Sequence, residues 1–134
     1  SRTVNGYSNS PQENIANLQF DFLKKKAAEG ESFVIVGRCA EMILKENPNL
    51  ISFFVLGDMQ DKIERTMQRE GVSRGEAEEL LARHDRKRKT YHNHYCKIKW
   101  GDSRGYDVSI NSSRLGLDGT ADVMEEYIKK RIAE

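Results

Sequence analysis

The sequence predicts an α/β layer fold built on a parallel sheet, and three observations predict it. Two short apolar runs, Phe33-Val-Ile-Val36 and Ile51-Ser-Phe-Phe-Val-Leu56, have the length and β-branched or aromatic content of strands. Each is followed by apolar residues recurring at helical spacing. A third strand pattern, Tyr106-Asp-Val-Ser-Ile-Asn111, precedes a final helical stretch. Strands that alternate with helices are joined by crossovers, and crossovers join parallel neighbours.

Taken in order, residues 1–12 are rich in Ser, Asn and Gly and read as a loop or flexible arm. From Glu13 a helix is predicted, with Ile15, Leu18, Phe22 and Leu23 inward, Lys24, Lys25 and Lys26 towards its C-terminal end and Gly30 as its stop. Phe33–Val36, bounded by Gly30 and Gly37, suits a strand buried on both faces. Gly37-Arg38 turns the chain into a helix with Ala40, Ile43 and Leu44 inward, ending near Asn47-Pro48. After the second strand, Asp58 is an N-cap candidate for a helix that carries Ile63 and Met67 and stops at Gly71. Ser73-Arg-Gly-Glu76 has the capping-box pattern and opens a helix through Ala77, Leu80 and Leu81. That helix runs into a lid and connector over residues 83–105. Asn111-Ser-Ser starts a loop, Leu115–Gly119 is its hinge, and Asp118 or Thr120 caps a last helix through Val123, Tyr127 and Ile128. No internal repeat is present.

A chain of 134 residues is expected to form a single domain. Hydrophobic content of 37% with 32% charge fits a globular protein and is too apolar for a disordered one. No run approaches the ~18 apolar residues of a membrane span, so no membrane partner is expected. Cys39 and Cys96 lie in no metal or redox spacing, which suggests reduced thiols and a cytoplasmic setting. A net charge of +1 and a pI near 7.7 argue against a protein devoted to coating nucleic acid.

The charge is nonetheless concentrated. Arg83, Arg86, Lys87, Arg88 and Lys89 crowd one stretch, and on a helix Arg83, Arg86, Lys87 and Thr90 share a face. Arginines suit bidentate recognition of phosphate. A solvated basic face paired with Glu76, Glu78 and Glu79 would explain the same run. In parallel sheets ligands sit beyond the carboxyl ends of the strands, here Gly37-Arg38, Gly57-Asp58 and Asn111-Ser112-Ser113. Arg38 follows a strand at a helix start, where free N–H groups also attract anions, although pairing with Glu41 is an equal reading.

Together these motifs resemble the nucleoside monophosphate kinases, and more narrowly the cytidylate kinase-like family. The matching residues are Val34-Ile-Val-Gly-Arg-Cys-Ala40, Gly71-Val-Ser with Glu76-Ala-Glu78 leading to Arg83-x-Asp-Arg-x-Arg88, Trp100-Gly-Asp102, and Tyr106-Asp-Val-x-Ile-Asn-Ser-Ser-x-Leu-Gly116. The resemblance implies a three-layer parallel sheet with flanking helices and transfer of the γ-phosphoryl of ATP, with Mg²⁺, to a nucleoside monophosphate. It further implies that Gly37 and Arg38 hold the acceptor's monophosphate. Arg83, Arg86 and Arg88 would then form a catalytic lid, Asp85 would orient one of them on the substrate side, and Asn111 and Ser112 would border the adenine of ATP.

The chain departs from the family in one respect of consequence. It has no Gly-x-x-x-x-Gly-Lys-Ser/Thr, the P-loop that follows the family's central strand. Two buried strands flanking an empty slot would leave unpaired backbone groups, at roughly 1–3 kcal/mol each. The expectation is therefore that these residues are the C-terminal two-thirds of a kinase domain, or that a second subunit fills the slot. Cys39 also stands where cytidylate kinases carry an acidic residue, so cytidine preference does not follow.

Alternatives from other classes are a kinase-like protein without catalysis and a nucleic-acid-binding module using the basic helix. His92, His94 and Cys96 alternate, a spacing that turns successive helical side chains apart, so no metal-ligand set is assigned. Trp100 and Tyr106 read as core anchors.

Overall fold

The computed structural model describes residues 3–4, 7–8 and 10–133. It is an α/β structure of mostly helices, and the chain divides into two compact units, Ser1–Leu50 and Ile51–Glu134, where the sequence predicts a single domain.

In the first unit, β1 (Thr3–Val4) pairs antiparallel with β2 (Tyr7–Ser8). Of the loop or arm predicted over 1–12, residues 3–4 and 7–8 form these short strands and Pro11 and Gln12 begin the next helix, while residues 1–2, 5–6 and 9 lie outside the described residues. The sequence signal is Asn5-Gly6 between a β-branched and an aromatic residue, the strongest short-range hairpin cue. Helix α1 (Pro11–Ala28) starts two residues before its predicted first turn. Ser10 caps it, its Oγ accepting from Glu13 N at 3.4 Å, and Pro11 sits where no N–H is needed. The helix buries Ala16, Phe20 and Leu23, while Ile15, Leu18 and Phe22 stay more than half exposed. The predicted inward stripe is thus rotated, because nothing among the unit's described residues covers its outer part.

Phe33–Val36 is the main correction. It belongs to neither sheet, and Val34 and Val36 are 93% and 87% exposed. A β-branched run forms a buried strand only where a neighbour supplies hydrogen-bond partners. Beyond it Gly37, Arg38 and Cys39 all take positive φ, at 74°, 59° and 57°, and lead into the short helix α2 (Ala40–Ile43).

In the second unit, β3 (Phe53–Leu56) pairs parallel with β4 (Val108–Asn111), in a register running from Phe53 opposite Val108 to Leu56 opposite Asn111. This sheet has two strands among the described residues, fewer than a full three-layer architecture needs. Helix α3 (Met59–Glu70) buries Ile63 and Thr66 and ends at Gly71 with φ 64°. Helix α4 (Arg74–Tyr95) is capped by Ser73, whose Oγ accepts from Glu76 N at 3.2 Å, and it packs on α3 with Ala77 fully buried. Helix α5 (Ser112–Ile132) begins directly at the end of β4, with Asn111 rather than Asp118 or Thr120 as its cap. The predicted hinge survives as a break in helical geometry at Gly116, with φ 73° and ψ 177°. Tyr127 of α5 meets Phe53 of β3 edge-on, with centroids 5.6 Å apart.

Candidate functional site

The candidate residues fall at three places, each described within its own unit. In the first unit, Arg38 lies at the edge of an open cleft of about 350 Å³. Ile15, Leu18, Phe22 and Leu23 of α1, with Ile35, form its apolar wall, and Gln19 adds an amide. Such a wall beside one guanidinium accommodates a ligand with a flat apolar part and an anionic end. Arg38 and Cys39 hold left-handed backbone, which costs a residue with a Cβ about 1–2 kcal/mol. Strain of this kind concentrates where a side chain must be aimed.

In the second unit, α4 continues unbroken through the basic stretch for 22 residues. Arg83 and Arg86 are exposed and make no ion pair with the described residues. The solvated pairing with the preceding acidic turn is therefore not realised for them; among the acidic residues it is Glu78 that pairs, with Arg74 at 3.2 Å. Arg88 differs. Its guanidinium carbon lies 5.0 Å from the Trp100 ring centroid, and its Nη1 is 3.9 Å from Asp85 Oδ1. Asp85 thus lies within ion-pair distance of Arg88, one helical turn away.

The connector that follows is pinned by its own side chains. Asp102 accepts from Arg104 N, Nε and Nη2 at 3.0, 3.1 and 2.7 Å and opens a 3-10 turn over Ser103–Gly105. The Arg104 guanidinium holds the Asp102 carboxyl down at about 2. Trp100 and Tyr106 both pack on Phe54, with centroids 5.5 and 5.0 Å away, which agrees with their reading as anchors.

At the carboxyl ends of β3 and β4 the polar groups bind one another. Asn111 Nδ2 donates to Asp58 Oδ1 at 3.0 Å, and Asn111 Oδ1 accepts from Ser113 N at 2.9 Å. Ser113 Oγ accepts from Asp58 N at 2.8 Å, and the buried Ser112 donates to Leu56 O at 3.0 Å. Arg114 Nη1 reaches Asp58 Oδ2 at 3.4 Å. Asp58 occupies the cap position of α3 but makes no side-chain cap bond, because its carboxylate is turned to Asn111 and Arg114. Asn111 and Ser112 therefore clamp the two strand ends. Both Asp58 oxygens thus have a partner within the second unit, Asn111 and Arg114.

The histidine reading is amended. His92 and Cys96 lie four residues apart and are both buried, and Cys96 N donates to His92 O at 2.8 Å, whereas His94 is exposed. The four-residue spacing of this pair is one that the alternation obscures. Sequence reasoning passed over Arg114 and the cross-strand role of Asp58. Their partners lie 53–56 residues away, so only the pairing of the strands reveals them.

Comparison with known proteins places this chain in a family. The profile of the cytidylate kinase-like family matches residues 1–114. A cytidylate kinase of Methanococcus vannielii is 29% identical over 131 residues, covering 95% of this chain and 75% of that protein. A crystal structure of an uncharacterized protein from Eubacterium ventriosum superposes with a TM-score of 0.86 at 50% identity, covering 91% of this chain and 69% of the other.

Proposed function

We propose that this chain, which belongs to the cytidylate kinase-like family, takes part in ATP-dependent phosphoryl transfer to a nucleoside monophosphate. The observation that carries the proposal is the state of the lid. Arg83 and Arg86 stand exposed and without ion-pair partners among the described residues, on a helix whose other end is fixed by the Ser73 cap. In phosphoryl transfer the protein mainly positions groups and neutralises charge, and free guanidinium forks are suited to both.

In this scheme Gly37 and Arg38 receive the acceptor. The guanidinium takes the monophosphate, and the apolar wall of Ile15, Leu18 and Phe22 takes the base. Arg83, Arg86 and Arg88 close on the transferring phosphoryl group, with Asp85 orienting Arg88. Asn111 and Ser112 border the adenine. Mg²⁺ would supply charge neutralisation to the ATP phosphates when bound.

The phosphate-binding loop and the strand that carries it come from outside these residues, from a further segment of the protein or from a second subunit. This is supported by the sequence, which has no Gly-x-x-x-x-Gly-Lys-Ser/Thr, and by the exposed, unpaired run Phe33–Val36.

The test is an assay of ATP with each of the four nucleoside monophosphates, on this chain and on a version that carries a phosphate-binding loop. Transfer by the longer version, lost in Arg38→Ala, is expected. No transfer to any acceptor by that version overturns the proposal.

A further inference from the structure

We propose that Trp100 is a positioning residue for Arg88, holding the guanidinium at the indole face so that its N–H donors are presented to a polyphosphate. The inference rests on the reading of α4 as a phosphate-closing lid.

The three lid arginines are not equivalent. Arg83 and Arg86 have their rotamers open to solvent, whereas Arg88 lies over the Trp100 ring at 5.0 Å. The indole is itself fixed. Trp100 N donates to Asn93 Oδ1 at 2.8 Å, and the ring meets Phe54 edge-on at 5.5 Å and 79°. Since Phe54 is a residue of β3, a chain of contacts runs from the sheet through Phe54 and Trp100 to one guanidinium.

A cation–π contact draws on the charge and the ring quadrupole and consumes no N–H donor. The 3.9 Å approach to Asp85 is too long for a hydrogen bond, so it consumes none either. Arg88 thus keeps its planar fork while its side chain is restricted before any ligand arrives. That restriction removes part of the ordering cost that a free arginine meets on binding. Trp is the strongest ring for this contact, and the chain has a single one.

The experiment measures tripolyphosphate binding to the chain by calorimetry and by Trp100 emission, in wild type, Arg88→Met, Trp100→Phe, Trp100→Leu and the Arg88→Met/Trp100→Leu double variant. Trp100→Leu is expected to weaken binding about two- to five-fold, with Trp100→Phe in between. Adding Trp100→Leu to Arg88→Met should cause no further loss. Tripolyphosphate should change Trp100 emission in wild type and not in Arg88→Met, an arm that needs no change at Trp100 and so survives any misfolding of its variants. If Trp100→Leu folds and binds as wild type, or the emission response persists in Arg88→Met, the proposal fails while the lid reading stands. Absence of tripolyphosphate binding to the wild type overturns the lid reading and this proposal with it.

Discussion

Ser52 and Asp107 exchange hydrogen bonds at the start of the parallel sheet: Asp107 N donates to Ser52 Oγ at 3.0 Å, and Ser52 N donates to Asp107 Oδ2 at 2.9 Å. The same carboxylate oxygen accepts from Arg131 Nη1 at 3.2 Å, near the end of α5. One side chain therefore ties the entry of both strands to the last helix. Asp107→Ala is expected to lower stability by about 1–2 kcal/mol, and Asp107→Asn, which keeps an acceptor for Ser52, by less. Urea unfolding of the two variants checks the order; equal losses would mean that the bond to Ser52 contributes nothing.

The Asp102 carboxyl should titrate at about 2 instead of 3.8, because Arg104 donates to it from backbone and side chain. A carboxyl depressed in the folded state contributes stability above pH ~3.8, and that contribution is lost as pH falls through about 2. Carbon-detected NMR titration reads the group directly, and Arg104→Ala should return it towards 3.8.

Arg83→Ala and Arg86→Ala should leave stability within about 0.5 kcal/mol of wild type, since both side chains are exposed and make no ion pair with the described residues. In a version that transfers phosphoryl groups, at least one of them should lower the turnover rate by ~10³-fold, on the scale of arginine fingers. Thermal unfolding and steady-state kinetics on the same samples separate the two effects.

Gly101 takes φ 82°, and a Cβ built on it would lie 3.3 Å from the Phe54 ring. Gly71 also takes a positive φ, of 64°, but opens on empty space. Both substitutions to Ala meet the left-handed penalty of about 1 kcal/mol, and Gly101→Ala must in addition displace Phe54. Gly101→Ala is therefore expected to be the more destabilising, and near-UV circular dichroism should change with it as Trp100 loses its packing.

The parts of the fold that were legible in the sequence are those fixed by local chemistry. Ser73 and Gly71 bound their helices through bonds to residues three and four positions away, and a sequence displays such bonds directly. The strands at Phe53 and Val108 were legible for a similar reason, their apolar content being set within each run. The misread elements depend on distant partners. Phe33–Val36 shows that it can be buried but not what would bury it, and Asn111 looked like the start of a loop because its bond to Asp58 spans 53 residues. In the candidate site, the arginines could be named from their clustering. Their division into two free side chains and one stacked on Trp100 could not, because it follows from how α4 and the connector return to the sheet.

The exposed run Phe33–Val36 is also expected to favour self-association at high concentration. It is uncharged, rich in β-branched residues, free of proline and widely exposed at Val34 and Val36, which are properties of a segment that recruits a like segment from another molecule. A surface awaiting an internal neighbour is equally a template for intermolecular association. Left uncovered, such a stretch is expected to pair with its like in another molecule, and light scattering against concentration reads the association.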